Sequence, residues 1–452
     1  MKYQIITFGC QMNKNDSQRI SAMLQKLKFS PASEINEADL VVINVCSVRQ
    51  SAVDRAIAIS QKLKVKSQNH NSKVKTVITG CILKKDKERF QRIANAVLDV
   101  LNIKNLPQIL KDLGFQIKET KIKNYLKVAP KYDKNPVAYV PIMTGCNNFC
   151  AYCVVPYTRG PERSRPPQDI LCEVKNWLKQ EVKEIWLLGQ NVNSYKFKLK
   201  TQNSCSQGRR AKLKTTTQKS KLIDFAKLLK MVNDLPGDFW IKFTSSHPKN
   251  LTDELIETMA KCKKVTPYIN LPVQTGDDEI LKRMNRPYTV AHYKKLVKKL
   301  RNAFKKYRKG LEKEIAISTD IIVGFPGEKR KHFENTKKLF KEIGFFMAYI
   351  AKYSPRPGTS AYHLKDDVLP QEKDKREKEL TEIVKKTAFE FNKKFVGKVV
   401  DVLVLKKKKG FYFGKTRHYQ TIKFPASKKN LIGQFVKVKV TKARDFGLEG
   451  TQ

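Results

Sequence analysis

The sequence has 452 residues, which is long enough for about three domains. Lys and Arg number 91 against 42 Asp and Glu, so the formal net charge is +49. This excess favours a polyanionic partner such as RNA or DNA, although a genome that favours Lys codons would supply part of it. Hydrophobic residues make up 40% of the chain, which excludes a disordered tail and allows a sizeable core.

The sequence contains no membrane or secretion signal. No apolar run approaches the ~18 residues of a membrane span. The N-terminal segment Met1–Asn15 lacks the apolar stretch and the small-residue cleavage site of a signal peptide. We therefore expect a cytoplasmic protein with no membrane attachment. In that compartment, nine cysteines are more typical of metal or redox chemistry than of disulfides.

Three short strand patterns in the N-terminal third each end in a cysteine. Their ranges are Tyr3–Cys10, Leu40–Cys46 and Lys75–Cys81. Helical patterns lie between them, at Asp16–Phe29 and Ser51–Lys66. This order predicts a parallel βαβ sheet, in which the carboxyl ends of the strands meet at one edge. The three cysteines would then form a metal or cluster site with one open position, unless they are simply buried and inert.

A second group of cysteines is close together in the sequence. Cys146, Cys150 and Cys153 follow the spacing C-x3-C-x2-C within Thr144–Arg165. A zinc ribbon would need a second C-x2-C pair, and none follows. Three close thiolates favour a 4Fe–4S cluster with one iron free to bind another ligand; a structural metal site is the alternative. The remaining cysteines, which we interpret as ordinary, are Cys172, Cys205 and Cys262.

Strand and helix patterns alternate through the middle of the chain. The predicted strands are Ala138–Met143, Glu184–Gly189, Trp240–Thr244, Tyr268–Pro272, Ile315–Val323 and Phe346–Tyr353. The predicted helices are Gln168–Val182, Leu222–Leu235, Thr252–Cys262, Ala291–Arg308 and Lys331–Ile343. About six βα units predict an incomplete parallel barrel.

Several segments resemble one enzyme family, the radical S-adenosylmethionine methylthiotransferases. The first is GCNNFCAYCVVPYTRGPERSRP, with Tyr152 before the last cysteine of the motif. The others are TFGCQMNKNDSQRI (7–20), NVCSVR (44–49), LLGQNVNSY (187–195), FTSSHP (243–248), LPVQTGDDEILKRMNRPYT (271–289), DIIVGFPGE (320–328) and YSPRPGT (353–359). The resemblance covers nearly the whole chain and is strongest to the branch that modifies isopentenylated adenosine in tRNA. The family pattern has a His where this chain has Asn270.

The resemblance implies cofactors and site residues. Cys146, Cys150 and Cys153 would hold a 4Fe–4S cluster that binds S-adenosylmethionine, and its reductive cleavage would yield a 5′-deoxyadenosyl radical. A second 4Fe–4S cluster, the sulfur donor, would be held by Cys10, Cys46 and Cys81. The residues expected to bind S-adenosylmethionine are Gly189, Gln190, Asn191, Ser246, Gln274 and Gly324.

The C-terminal segment has a different pattern. After a charged helix at Gln371–Phe395, alternating segments predict a small OB-like β-barrel at Val399–Leu405, Phe411–Lys415, Gln420–Phe424 and Gln434–Lys442. It resembles a TRAM domain. Basic residues stand among Phe411, Tyr412, Phe413 and Tyr419, an arrangement typical of RNA binding, unless the aromatics belong to the core. The candidate RNA contacts are Lys406, Lys407, Arg417 and Lys423.

The sequence thus predicts an α/β protein of three parts: a parallel βαβ domain at 1–118, an incomplete (βα)6 barrel at 132–380 and a TRAM-like β-barrel at 394–452.

The implied reaction adds a methylthio group to isopentenylated adenosine at tRNA position 37, in the anticodon stem-loop. The alternatives are threonylcarbamoyl-adenosine in tRNA, a ribosomal-protein aspartate, or a non-enzymatic RNA-binding metalloprotein. Further expected partners are an electron donor such as flavodoxin or ferredoxin, and proteins that deliver Fe–S clusters and sulfur. The basic segment Lys196–Ser220 is either a solvated insertion or an RNA-contacting loop.

Overall fold

The computed structural model describes residues 1–69, 74–117, 128–130, 135–199, 222–426 and 430–452. Cys205 and the part of the basic segment from residue 200 to 220 lie outside the described residues. Within the described ranges, no helix combines the length and the apolar character needed to cross a membrane.

The N-terminal domain is a five-stranded sheet of entirely parallel strands, with the order β2-β1-β3-β4-β5. Its strands are β1 (Lys2–Phe8), β2 (Ser30–Pro31), β3 (Leu40–Cys46), β4 (Lys75–Cys81) and β5 (Ala96–Asp99). Its helices are α1 (Gln11–Lys26), α2 (Gln50–Asn69), α3 (Lys84–Gln91) and α4 (Leu106–Asp112). Every residue of β3 is buried, as expected for a central parallel strand covered on both faces.

The predicted bounds of β3 and β4 are confirmed, but those of β1 and α1 were wrong. β1 ends at Phe8, and Cys10 already caps α1, which begins at Gln11 rather than at Asp16. Asp16 had suggested a helix cap, because Asp is a favoured capping residue. Its side chain is instead fully buried and pairs with Arg159 of the next domain.

The second domain begins with several short elements. They are β6 (Val137–Pro141), β7 (Met143–Thr144), α5 (Val155–Arg159), β8 (Arg163–Ser164), α6 (Pro167–Leu178), β9 (Glu184–Leu188), β10 (Lys196–Lys198) and β11 (Leu222–Asp224). β7 pairs with β8, and β10 pairs with β11, both in antiparallel fashion. The predicted start of the next helix at Leu222 was wrong, because residues 222–224 form β11. Asp224 then caps the helix by accepting a hydrogen bond from the Lys227 backbone N–H at 2.9 Å.

The rest of this domain completes six parallel strands. Its elements are α7 (Phe225–Asn233), β12 (Trp240–Phe243), α8 (Asp253–Lys261), β13 (Tyr268–Asn270), α9 (Asp278–Arg283), α10 (Val290–Tyr307), β14 (Ala316–Val323), α11 (Arg330–Ile343), β15 (Met347–Lys352) and α12 (Pro370–Lys393). The strands form two parallel sheets, β6-β9-β12 and β13-β14-β15, joined by a parallel bridge between Ile241 and Val265. Six parallel strands with their helices confirm the predicted incomplete barrel.

The C-terminal domain is a closed five-stranded barrel with the order β16-β17-β18-β20-β19. Its strands are β16 (Val399–Lys408), β17 (Phe411–Thr416), β18 (Thr421–Pro425), β19 (Phe435–Arg444) and β20 (Gly447–Thr451). The predicted barrel is confirmed, but β20 was not predicted. Its sequence, GLEGT, is short and contains two glycines, which strands normally disfavour.

The first two domains meet at a buried group of charges. The Arg19 guanidinium on α1 donates to both carboxylate oxygens of Glu173 at 2.9 Å, and Arg165 donates to the same carboxylate at 2.8 Å. All three side chains are at most 7% exposed. Buried charges are tolerated only when they are paired, so this contact requires α1 and α6 to remain together.

We expect Glu173→Gln to lower the free energy of unfolding by about 3–5 kcal/mol, because it leaves two buried guanidinium groups without a countercharge. Urea unfolding checks this against Lys393→Ala, which breaks an ion pair with Glu390 whose side chains are both more than half exposed. The control should cost less than about 1 kcal/mol. Equal losses in the two variants would contradict the importance of the buried group.

Candidate active site

Cys10, Cys46 and Cys81 meet at the carboxyl edge of the N-terminal sheet. Cys46 and Cys81 are partners in register at the ends of β3 and β4, and Cys10 follows β1. Gly80 has φ +120° in a left-handed conformation, and a Cβ there would lie 2.1 Å from the Val45 carbonyl oxygen. Only glycine fits so close to the neighbouring strand. The parallel sheet thus brings together three residues that are far apart in the sequence.

The thiols of Cys46 and Cys81 are close neighbours, because the two residues are register partners at the strand ends. The neighbouring Cys81 side chain lowers the pKa of Cys46, and the neighbouring Cys46 side chain together with burial raises the pKa of Cys81. The Arg159 side chain contributes a second contact, because its Nε donates to the Cys81 Sγ at 2.9 Å. Burial raises the pKa of Cys10 as well, whereas the Arg159 charge favours the thiolate form that metal binding requires.

Cys146, Cys150 and Cys153 lie in the loop between β7 and α5. The Asn148 backbone N–H donates to the Cys146 Sγ at 3.4 Å, and Arg286 Nη1 donates to the Cys150 Sγ at 3.5 Å. Burial raises the pKa of the Cys146 thiol, and raises that of Cys153 to about 12. A metal or cluster must therefore displace protons from these thiols when it binds.

A cavity of about 400 Å³ lies beside both groups of cysteines and is lined by all three domains. The N-terminal domain contributes Gln11, next to Cys10, and Arg49, three residues after Cys46. The middle domain contributes Cys153 and Asp320, and the C-terminal barrel contributes Tyr419. A cavity of this size can hold a small organic ligand or one nucleobase.

Asp320 is the carboxylate that lines this cavity among the described residues. Burial raises its pKa to about 6, and a 3.4 Å hydrogen bond from Asn270 Nδ2 acts in the opposite direction. Asn270 also donates to the Ser318 hydroxyl at 3.2 Å. The residue at the position where the family pattern has His therefore holds the cavity carboxylate in place.

Four buried polar atoms lack a hydrogen-bond partner near the carboxyl ends of β9 and β12. They are Gln190 Oε1, Asn191 Oδ1, Ser246 Oγ and His247 Nε2. His247 Nδ1 accepts from the Lys249 backbone N–H at 3.2 Å, and burial and Arg286 lower the pKa of His247 to about 3. Its imidazole is therefore neutral, with the proton on Nε2. Buried polar atoms normally have a hydrogen-bond partner, so these four can accept a ligand or water molecules.

The other residues expected to bind S-adenosylmethionine have different surroundings. Gln274 lines the cavity, with φ +73°. A Cβ at Gly189 would lie 2.6 Å from the Met143 Cγ, so this glycine permits close packing. The Gly324 backbone N–H donates to Glu328 at 2.6 Å.

The candidate RNA contacts divide into two groups. Lys406, Phe413 and Lys423 are register partners across β16, β17 and β18, so a lysine lies on either side of an aromatic ring on one face. Lys407 is also exposed, next to Lys406. Arg417 has another position, because its Nε pairs with Glu312 at 2.7 Å and its guanidinium packs 5.6 Å from the Trp240 ring centre.

Two of the aromatics expected among these basic residues point inward. Tyr412 is fully buried in the barrel core, and Tyr419 packs against Trp186 with ring centres 5.3 Å apart. The core alternative is therefore correct for Tyr412, and Tyr419 instead contributes to the cavity.

Comparisons with known proteins identify the family. Residues 2–101 match the family described as uncharacterized protein family UPF0004, 140–340 match the radical SAM superfamily, and 393–451 match the TRAM domain. A Clostridium botulinum (strain Langeland) protein named tRNA-2-methylthio-N(6)-dimethylallyladenosine synthase is 38% identical, covering 100% of this chain and 97% of the relative. The chain belongs to this synthase family.

Other matches agree with this assignment. A synthase of the same name from Thermoanaerobacter sp. (strain X514) is 37% identical, covering 99% of this chain and 92% of the relative. Among solved structures, the cobalamin-dependent S-adenosylmethionine radical enzyme OxsB in its apo form matches with a TM-score of 0.51 at 11% identity. The match covers 84% of this chain and 56% of that chain, and it supports the fold alone.

The two groups of thiols fit the cofactors of a radical SAM enzyme. Three cysteines that bind a cubane cluster contact three different irons, so they need not converge on one point. Among the described residues, no three His, Cys, Asp or Glu side chains converge tightly enough to hold a single metal ion. Both groups offer thiols alone, which are the usual ligands of iron–sulfur clusters.

Sequence patterns alone gave no role at this site to Arg159, Arg286 or Asp320, placed His247 only among the residues that follow a strand, and interpreted Tyr419 as part of the RNA-binding module. His247 and Asp320 lie within the conspicuous segments FTSSHP and DIIVGFPGE, which was the available signal. Arg159 and Arg286 also lie within quoted segments, at 145–166 and 271–289, but a single sequence does not show which distant residues they contact. Of the cysteines interpreted as ordinary, Cys262 is buried in the core and Cys172 is exposed on α6.

The pKa of Asp320 predicts a pH effect on stability. Its value is about 6 in the folded protein and about 3.9 in an unfolded chain. Between these values the folded state binds more protons, so stability falls as pH rises. We expect Asp320→Asn to lose less stability than the wild type between about pH 4 and pH 6. Urea unfolding across this range checks the prediction, and parallel curves for the two proteins would contradict it.

Proposed function

We propose that this chain converts N6-dimethylallyladenosine at position 37 of tRNA to its 2-methylthio derivative, using two 4Fe–4S clusters and S-adenosylmethionine. The observation that carries the proposal is the cavity lined by three domains. One cysteine triad lies on its N-terminal-domain side and the other on its middle-domain side. The family assignment supports the same reaction.

We assign the cluster ligands to the two triads. Cys146, Cys150 and Cys153 hold the cluster that binds S-adenosylmethionine. Cys10, Cys46 and Cys81 hold the second cluster, which delivers the sulfur. When bound, the reduced cluster and S-adenosylmethionine supply hydrogen-atom abstraction from an unactivated carbon, which no acid–base side chain provides.

The chain's own residues orient the ligands and exclude water. Gln190, Asn191, Ser246 and His247 offer unpaired polar atoms to S-adenosylmethionine at the barrel edge, and Gln274 and the backbone at Gly189 and Gly324 shape that edge. Asp320 accepts a hydrogen bond from the base within the cavity. Tyr419 closes the cavity from the C-terminal barrel.

We further propose that Lys406, Lys407 and Lys423 bind phosphates of the anticodon stem-loop, while Phe413 stacks on a base. Arg417 is omitted, because Glu312 and Trp240 already occupy its guanidinium.

The proposed domains are 1–118, 132–380 and 394–452. The three matched family segments, 2–101, 140–340 and 393–451, each overlap one of these ranges and support the division into three. A cytoplasmic location, a flavodoxin or ferredoxin as electron donor, and proteins that deliver Fe–S clusters and sulfur complete the proposal.

The direct test is nucleoside mass spectrometry. The protein is reconstituted anaerobically with iron and sulfide, and is then given S-adenosylmethionine, dithionite and dimethylallylated tRNA that lacks the methylthio group. The methylthio nucleoside is the expected product. Formation of 5′-deoxyadenosine without it would overturn this substrate, and the same assay with threonylcarbamoyl-adenosine tRNA or the ribosomal protein would test the other substrates.

Cysteine variants separate the roles of the two triads. Cys150→Ala/Cys153→Ala should abolish cleavage of S-adenosylmethionine, whereas Cys46→Ala should retain cleavage and lose sulfur insertion. Cys172→Ala is the matched control, because this exposed cysteine lies outside both triads; its activity should equal that of the wild type. Methylthiolation by the Cys46 variant would disprove the donor role of the N-terminal triad.

The proposed RNA face predicts a change in salt dependence. Each phosphate contact that is lost should reduce the slope of log K against log salt by about 1. The triple variant Lys406→Gln/Lys407→Gln/Lys423→Gln should therefore flatten the slope for tRNA binding. Lys437→Gln is the control, because its ammonium group already pairs with Asp401 at 3.0 Å in the same barrel. Equal slopes for the two variants would disprove the assigned face.

A further inference from the structure

Arg159 connects the two cysteine triads. It is the last residue of α5, which begins two residues after Cys153. Its side chain extends into the N-terminal domain, where Nε donates to the Cys81 Sγ at 2.9 Å. A single short helix of the middle domain thus brings a cation to a thiol of the other triad.

Asp16 of α1 holds Arg159 in this position. The Arg159 Nη2 and the Asp16 Oδ2 are 2.6 Å apart, and the two side chains are 2% and 0% exposed. Arginine stays protonated in proteins, and charges interact strongly when water is excluded. A negative charge on the Cys81 sulfur is therefore stabilised by Arg159 and opposed by Asp16.

Charges and N–H···S hydrogen bonds around the cysteine ligands are among the factors that set the reduction potential of an iron–sulfur cluster. Reduction adds one electron, so a nearby cation favours the reduced state and a nearby anion disfavours it. The two side chains should thus act in opposite directions on a cluster bound at Cys81.

We propose that Arg159 and Asp16 are positioning residues that set the reduction potential of the second cluster, with Arg159 raising the potential and Asp16 lowering it. The inference rests on the proposed function, because that function places a 4Fe–4S cluster at Cys10, Cys46 and Cys81. Neither side chain needs to touch the substrate or S-adenosylmethionine.

The test isolates the second cluster. In the parent protein Cys146→Ala/Cys150→Ala/Cys153→Ala, a dithionite titration followed by electron paramagnetic resonance reports the midpoint potential of the remaining cluster alone. In this background, Arg159→Gln should shift the midpoint to a more negative value, and Asp16→Asn should shift it to a more positive one. Arg159→Lys keeps the charge but changes the hydrogen bond, so its midpoint should lie between those of the parent and Arg159→Gln.

Arg165→Gln is the matched control, because Arg165 is a buried arginine of the same domain interface that pairs with Glu173. Its midpoint should equal that of the parent. If the two residues only stabilised packing, Arg159→Gln and Asp16→Asn would leave the midpoint potential unchanged, or would shift it in the same direction as Arg165→Gln. Either result would overturn the inference. If Arg159→Gln fails to load iron, Asp16→Asn decides the question, and an unchanged midpoint in that variant overturns the inference.

The parent also separates this inference from the proposed function. A parent that binds no iron would overturn the second cluster, and the role of Arg159 and Asp16 with it. A loaded parent whose midpoint responds to neither substitution would overturn only that role and would leave the proposed function intact.

Discussion

The spacing of the two cysteine triads depends on the buried polar face of α1. Asn15, Asp16 and Arg19 are completely buried there, although all three are polar or charged. Asn15 donates to the Tyr139 carbonyl oxygen at 2.7 Å, while Asp16 and Arg19 form ion pairs with the middle domain. Because buried charges must be paired, the N-terminal sheet has one low-energy position against the barrel, and that position fixes the distance between the triads.

The C-terminal barrel is also held against the middle domain by a contact with a buried ion pair. Lys242 on β12 is fully buried and pairs with Glu184 on β9 at 2.6 Å. The Lys242 ammonium also lies 4.9 Å from the ring centre of Tyr419. Strand β12 of the middle domain thus contacts the aromatic residue of the C-terminal domain that lines the cavity. The C-terminal domain therefore contributes to the cavity wall through Tyr419 as well as carrying the exposed lysines.

The sequence was sufficient where the signal is local. The cysteines end strands or share a short motif, so parallel-sheet geometry was enough to place Cys10, Cys46 and Cys81 at one edge. Contacts between residues that are distant in the sequence could not be predicted. Asp16 suggested a helix cap because Asp is a favoured capping residue. Its true partner, Arg159, is 143 residues away in the sequence and could not be predicted from local patterns. Arg417 suggested an RNA contact because it stands among aromatic residues. No sequence neighbour indicated that it contacts Glu312 and Trp240. Alternation along β17 could not show that Tyr412 faces the core while Phe413 faces outward, since either register gives the same pattern.

The two triads have the same donor atoms but different electrostatic surroundings. Each contacts one buried arginine, Arg159 at Cys81 and Arg286 at Cys150. Asp16 offsets the charge of Arg159, whereas Arg286 donates to the neutral Tyr288 hydroxyl and the Pro272 carbonyl oxygen as well as to Cys150. Neutral dipoles leave a positive charge in place, while a carboxylate cancels most of it at longer range. Arg286 therefore presents more of its positive charge at Cys150 than Arg159 does at Cys81, which favours an anionic ligand group such as a carboxylate near Cys150.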